Sequence, residues 1–324
     1  MNTIFKKWCS IAVGLLYVVS GLLKVMDPVG TGLIVEAYFR FMHLPESALV
    51  AKILGVVLGA LETAVGFAAV FCVWSRITRW IMLGMQSSFT ILSLALVIWN
   101  PQMHCGCFGE AIHLTHGQTF IKNIVLMGML WLAYFPLLEA TMTKIWQYIA
   151  FASSVILMAG FAVYSWYYIP VIDFTDYKKG TRIISHHDYW KLSDEEKKGK
   201  VTIPMLGIHN SEEIEDLTSG KWVIISMHDI PDDINSWLRI KDKFVRLGFK
   251  GHSVILLVAS TKDRIWDSYV RLYDETDIAH DILDKMLNST FLTLKTTVQT
   301  LNRCNGGITL LEDGVILEKT VRVY

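Results

Sequence analysis

Apolar residues fall along the first half of the chain in five long runs, at about 8–26, 48–73, 80–99, 120–138 and 146–169. An α-helix needs about 20 mostly apolar residues to cross roughly 30 Å of hydrocarbon. The third and fifth runs contain no charged residue. The pattern therefore predicts five transmembrane helices. The first is read as a retained anchor, because the run after Lys6 and Lys7 is long and lacks an A-x-A-like cleavage site. Beyond Pro170 the period changes. Short Val- and Ile-rich runs at 222–227 and 253–259 read as buried strands, and 232–247 and 262–273 show helical spacing. Residues 308–311 and 315–319 flank Glu312-Asp313-Gly314, a hairpin signal. The charged stretch 193–200 reads as a solvated surface or linker.

Composition sharpens this division. Hydrophobic residues make up 52% of the chain and charged residues 19%, and the mean hydropathy is +0.39. Residues 1–170 hold 15 charged residues, 9 basic and 6 acidic, whereas 171–324 hold 45, 21 basic and 24 acidic. A wholly soluble protein, a disordered chain and a small disulfide scaffold are excluded. Zero net charge gives no sign of a nucleic-acid partner, and the partner implied is a lipid bilayer. Basic residues between spans set orientation. Lys6, Lys7, Arg76, Arg79 and Lys144 cluster on one side, against Arg40 in the first opposite loop and Lys24, Lys52 and Lys122 near span ends. The reading is an N-terminus inside and a C-terminal domain outside, which for a bacterium means the inner membrane and the periplasm. The expected segments are a four-helix membrane domain over 1–145, a fifth span over 146–170, a linker over 171–199 and a soluble domain over 200–324.

The loop after the third span carries the most distinctive chemistry, His104-Cys105-Gly106-Cys107-Phe108-Gly109. A C-x-C bridge closes a very small ring, which strains it and eases its reduction. His104 adjoins the pair and is placed to lower a thiol pKa. Two other readings stand beside a redox pair. One is ordinary loop thiols or a static staple. The other is a metal site that adds His113 and His116, although the spacing is not the usual one for zinc. Glu62 lies near the middle of the second span, on one face with Gly55, Gly59 and Gly66. That face suits close helix packing and would aim Glu62 into the bundle, at the depth of Gln86, Ser87 and Ser88. Ionisable residues inside spans suggest function by default, here a proton-handling carboxyl, with a hydrogen-bonded packing residue as the alternative. Lys24, near the end of the first span, reads either as a snorkelling lysine or as a site residue. Counting 1.5 Å per residue sets Lys24 well away from Glu62, so Asp27 is the expected partner of Lys24.

The string Ser20-Gly21-Leu22-Leu23-Lys24-Val25-Met26-Asp27-Pro28 resembles the S-G-x-x-K-x-x-D signature of the MauE/DoxX membrane proteins. Glu62 after a Gly-rich start fits the same pattern. So do Cys105-Gly106-Cys107-Phe108-Gly109 and a fourth span opening at Thr119-Phe120-Ile121-Lys122-Asn123. The resemblance covers roughly 10–140. It implies a four-helix membrane bundle with redox-associated work, with Cys105 and Cys107 as the thiols and a quinone as a possible partner. It does not imply methylamine as a substrate.

The C-terminal β-α-β-α order, closed by a helix and a hairpin, resembles the thioredoxin fold over about 200–321. Two departures stand out. The usual C-x-x-C position reads His228-Asp229-Ile230-Pro231-Asp232, and Gly306 stands where the family's cis-proline falls. Cys304 nearby is read either as an inert thiol or as a resolving cysteine. The fold class expected is thus an α-helical membrane bundle followed by an α/β thioredoxin-like domain. Two functions follow. The chain is either a thiol-disulfide or quinone-linked oxidoreductase using Cys105, Cys107, Glu62, Lys24 and His104, or a non-catalytic anchored module whose outer domain binds a periplasmic partner.

Overall fold

The structure, a computed structural model, describes residues 3–45, 47–101, 103, 105–112, 114–134, 144–168, 170–207 and 217–320. The chain divides into two compact units, Met1–Val171 and Ile172–Tyr324.

The first unit is helical. Its elements are α1 (Thr3–Met26), α2 (Pro28–Phe41), α3 (Ala48–Val70), α4 (Ser75–Trp99), a short extended segment β1 (Cys107–Glu110), α5 (His116–Tyr134) and α6 (Ile145–Tyr167). α1 packs along α3 and α5, α4 along α5, and α6 along α3. Among the described residues four helices are long and apolar enough to cross a membrane: Phe5–Met26, Ala48–Val70, Ser75–Trp99 and Ile145–Trp166. This corrects the expected five. The run expected at 120–138 forms α5, whose described part is diluted by His116, Gln118, Lys122 and Asn123, and 135–138 lies outside the described residues. Large apolar side chains such as Trp8, Ile91, Ile121 and Leu157 are exposed on the outer faces of these helices. Apolar surface on this scale marks contact with a partner or a membrane, and the bilayer supplies it here.

A second correction concerns the stretch holding Arg40. It is not a loop but α2, started by Asp27, whose Oδ1 accepts the Gly30 N–H at 2.9 Å, with Pro28 in the first turn. α3 lies along both α2 and α1. At its start Lys52 meets Gly32, and Gly55 meets Thr31. Further on, Gly59 meets Gly21, and Gly66 meets Gly14. A Cβ built on Gly21 would stand 2.3 Å from the Gly59 carbonyl oxygen, so glycine is the residue that lets these backbones touch.

In the second unit the strand and helix positions read from the sequence hold: β5 (Lys221–Met227), α8 (Ile234–Phe249), β6 (Ser253–Val258), α9 (Lys262–Glu275), and the hairpin β8 (Gly307–Glu312) with β9 (Val315–Thr320). Three elements lie between α9 and the hairpin: α10 (His280–Asn288), β7 (Thr290–Leu292) and α11 (Lys295–Leu301). The stretch 171–199 is more than a linker. It contributes β2 (Arg182–Ile183) and α7 (His186–Tyr189), and it is followed by β3 (Lys200–Val201) and β4 (Leu206–Gly207). Backbone pairing draws it in: Arg182 pairs with Lys200 on one side and with Val315 on the other. Among the described residues eight strands make one sheet in the order β3-β2-β9-β8-β5-β6-β7-β4. Alternation along β5 sends Val223, Ile225 and Met227 to a core with Trp237, Phe244 and Tyr269, and Ile224 to a second core with Val298 and Leu301.

Candidate functional site

Lys24 and Glu62 form a buried ion pair. Lys24 Nζ lies 2.7 Å from Glu62 Oε2 and 2.9 Å from Oε1, with side chains 7% and 2% exposed. This overturns the expectation that depth keeps them apart and that Asp27 takes Lys24. Counting residues along each span leaves out where α3 starts relative to α1. Here α2 prolongs the path, the first turns of α3 pack on α2, and Glu62 descends to the level of Lys24. Asp27 caps α2.

Two further acceptors complete the shell around Lys24: Ser20 Oγ at 2.9 Å and the Cys107 carbonyl oxygen at 2.9 Å. Ser20 Oγ also lies 2.7 Å from Glu62 Oε2 and 2.6 Å from that carbonyl. Ser20 and Lys24 are four residues apart, so one helical face presents both. An isolated charge in an apolar interior costs several kcal/mol, and an opposite charge with added hydrogen bonds offsets that cost. Lys24 thus ties α1, α3 and the cysteine loop together.

The loop is shaped by Asn100, which ends α4 at φ 41°, and by Gly106 at φ 66°. A Cβ on Gly106 would stand 2.4 Å from Ile34 Cγ2, so both conformation and contact require glycine there. Cys105 Sγ and Cys107 Sγ are 3.1 Å apart as thiols. Tyr38 on α2 donates to the Cys105 carbonyl oxygen at 2.8 Å and lies 3.9 Å from its sulfur. The hydrogen bond from Cys107 holds the Cys105 thiol below the ordinary thiol range against the opposing effect of burial, with help from Tyr38 and the Lys122 ammonium. The Cys107 thiol is pushed up, first by the same contact with Cys105 and then by burial.

These groups line one cavity of about 150 Å³. Leu16, Ile34, Leu58, Phe89, Leu92 and Leu126 supply its apolar wall. On the side of α4 and α5, Tyr17 donates to Gln86 Oε1 at 2.9 Å, and Gln86 Nε2 donates to the Asn123 carbonyl at 3.1 Å. Asn123 Nδ2 donates to Ser93 Oγ at 3.0 Å and to the Phe89 carbonyl at 3.1 Å. Lys122 Nζ sits 4.8 Å from the centre of the Phe108 ring.

Of the residues singled out in the sequence, Cys105, Cys107, Glu62 and Lys24 share this cavity, while His104 lies outside the described residues, as does His113. Gln86 joins the cavity, but the Ser88 hydroxyl turns back to the Gly84 carbonyl. Among the described residues no three His, Cys, Asp or Glu side chains converge as metal ligands. Sequence reasoning missed Tyr38, because α2 was read as a loop. It also gave no role to Tyr17, and it met Lys122 and Asn123 only in the charge count and the family pattern, although polar residues at regular depth in apolar helices are the available signal.

In the second unit Asn305 Oδ1 accepts the backbone N–H of His228 at 3.0 Å and that of Asp229 at 3.3 Å, so the loop after Cys304 closes over the end of β5. Lys295 pairs with Asp229 at 2.8 Å, and Lys243 donates to the Gly306 carbonyl at 2.8 Å.

No curated protein and no solved structure matches the chain. Residues 2–136, which build the cavity, match the family model described as methylamine utilisation protein MauE, so the membrane unit is similar to that family, while the chain beyond 136 lies outside the match.

Proposed function

We propose that this membrane protein is a thiol-disulfide oxidoreductase whose working group is the Cys105-Cys107 pair, draining electrons from client thiols into a quinone. The observation that carries the reading is the placement of two thiols 3.1 Å apart on the wall of an apolar cavity that also holds the Lys24–Glu62 pair. The cavity suits a quinone head: it is about the size that holds one six-membered ring, and its mostly apolar wall includes Lys24 and Lys122.

A bound quinone supplies an acceptor for two electrons and two protons. When the pair is oxidised, the Cys105 and Cys107 S–H bonds are lost and one S–S bond forms. Two protons and two electrons leave for that acceptor. Cys105 is the attacking sulfur, since its thiolate forms more readily. Glu62, the buried carboxylate of the same cavity, is assigned the relay of one of these protons to the acceptor. A client dithiol then reduces the pair by exchange, and the client leaves with the disulfide.

The family match favours an accessory role of the kind its description names, in methylamine utilisation, with disulfide formation in a periplasmic enzyme as the concrete task. The pair and the second unit are proposed to face the periplasm, following the basic residues between spans. There the second unit, thioredoxin-like in its strand–helix order but without a C-x-x-C, docks the client. The absence of that motif at 228–232 also favours a second reading, a purely binding module on a membrane anchor.

One experiment separates the two. Thiols of the full-length protein in membranes are tagged with a mass label while a quinone-reducible respiratory chain is running or blocked. The oxidoreductase reading expects Cys105 and Cys107 to shift from oxidised to reduced on blockage, and Cys105→Ser or Cys107→Ser to abolish client oxidation. Unchanged labelling together with full client function in both serine variants would leave only the binding module.

A further inference from the structure

The cavity holds two ammonium groups, and they are in opposite states. Lys24 is consumed: Glu62 Oε1 and Oε2, Ser20 Oγ and the Cys107 carbonyl all lie within 2.9 Å of its Nζ. The neutral polar groups are consumed as well. Tyr17 is spent on Gln86, Gln86 on the Asn123 carbonyl, Asn123 on Ser93 and Phe89, and Tyr38 on the Cys105 carbonyl. Lys122 differs. It lines the cavity, rests over the Phe108 ring and stands within reach of the Cys107 sulfur, and among the described residues no carboxylate pairs with it. A ring face replaces only part of the hydration an ammonium loses, so donors of Lys122 are left to offer to something else.

We infer that Lys122 binds the ligand of this cavity by donating a charged hydrogen bond to a carbonyl oxygen of a flat, apolar two-electron acceptor, and so holds the ring beside Cys107. This rests on the quinone reading above and names the residue that would recognise the head group. Lys122 and both cysteines line the same cavity, and Lys122 stands within reach of the Cys107 sulfur, so an oxygen held by Lys122 stands next to the sulfur pair. The influence of Lys122 on both thiols agrees with this closeness. With such an acceptor bound, the Lys122 ammonium would stabilise negative charge arriving there as the pair is oxidised. Lys24 cannot serve there, because binding an oxygen would take it from Glu62.

The test is equilibrium binding of ubiquinone-1 to the purified full-length protein in detergent, compared among the native chain, Lys122→Met and Lys122→Arg. Melting temperature and gel filtration verify that each variant is folded. Loss of one charged hydrogen bond predicts that Lys122→Met weakens binding about tenfold or more, while Lys122→Arg stays within about threefold. The methionine variant should also slow alkylation of Cys105 by iodoacetamide. A folded Lys122→Met that binds within about twofold of the native chain overturns this assignment, and the oxidoreductase reading stands if the native pair still reduces the quinone. If the native chain itself binds no ubiquinone-1, the quinone reading fails, and the role of Lys122 with it.

Discussion

Lys24 and Glu62 are 38 residues apart in the chain, yet the lysine Nζ lies 2.7 Å from the carboxylate, and both side chains are almost wholly buried. The pair is held by α3 lying first along α2 and then along α1, a path made possible where Gly21 faces Gly59. The Cys107 carbonyl accepts from the same lysine. The charged pair is therefore a structural clamp on the loop that carries the two cysteines.

Lys24→Met leaves Glu62 buried without its cation. Removing one partner of a buried pair costs about 3–5 kcal/mol, whereas replacing both with apolar groups costs far less. The double variant Lys24→Met, Glu62→Leu is expected to melt above the single Lys24→Met variant in detergent. Equal or lower melting of the double variant would show that the pair is not coupled.

Gly21→Ala drives a Cβ to 2.3 Å from the Gly59 carbonyl oxygen, where backbone must move. Gly84→Ala meets nothing within 4 Å, and alanine is favoured over glycine in a helix by about 1 kcal/mol. The first substitution should cost about 2 kcal/mol or more, and the second should be neutral or slightly stabilising. Thermal unfolding of the two purified variants decides this, and similar losses in both would contradict the packing at Gly21.

Cys105 is drawn below the ordinary thiol range chiefly by the hydrogen bond from Cys107. A lowered thiol pKa means that the reactive thiolate persists as pH falls. Iodoacetamide labelling of Cys105, followed by mass spectrometry, is expected to stay near its plateau at about pH 7, where an ordinary thiol is mostly protonated. Cys107→Ser, whose hydroxyl is a different donor at a different length, should shift that profile. A Cys105 profile with its midpoint at about 8.5 or above is incompatible with the geometry.

In the second unit burial raises the Asp173 carboxyl, but the ion pair with Lys319 and hydrogen bonds from Thr175 outweigh it and hold the group below the carboxylate range. A depressed carboxyl contributes stability above its unfolded pKa, and that stability is lost as pH falls through the folded value. Protection of the β9 amides against hydrogen exchange, taken relative to the unstructured rate at each pH, should therefore fall below about pH 4. Lys319→Met should already exchange faster at neutral pH and show a flatter acid response. Parallel pH curves for the two proteins would remove the ion pair as the cause.

Much of this molecule is legible from local pattern. Hydropathy is summed over neighbouring residues, so the apolar helices α1, α3, α4 and α6 stand out whatever they pack against. Period-two and period-3.6 spacing locate β5, α8, β6 and α9 in the same way. Cys105-Gly106-Cys107 is visible as a short motif, and the Gly55, Gly59, Glu62 and Gly66 face predicts close packing that the backbone contacts bear out. The polar start of α5 and the brevity of α2 are where such sums fail: among the described residues four helices rather than five are apolar enough to span, and the stretch around Arg40 is a helix rather than a loop.

By itself the sequence determined that an apolar helical half precedes a charged α/β half, and that a cysteine pair lies in a loop of the first. Both follow from composition and period, which depend only on residues near one another in the chain. Only the tertiary structure decided that Lys24 meets Glu62, that Tyr38 and Lys122 border the thiols, and that β2 and β3 join the sheet. Those facts depend on which faces of distant elements come together. A turn of one helix past another moves a side chain by several ångströms and exchanges its neighbours, and no local pattern records that choice.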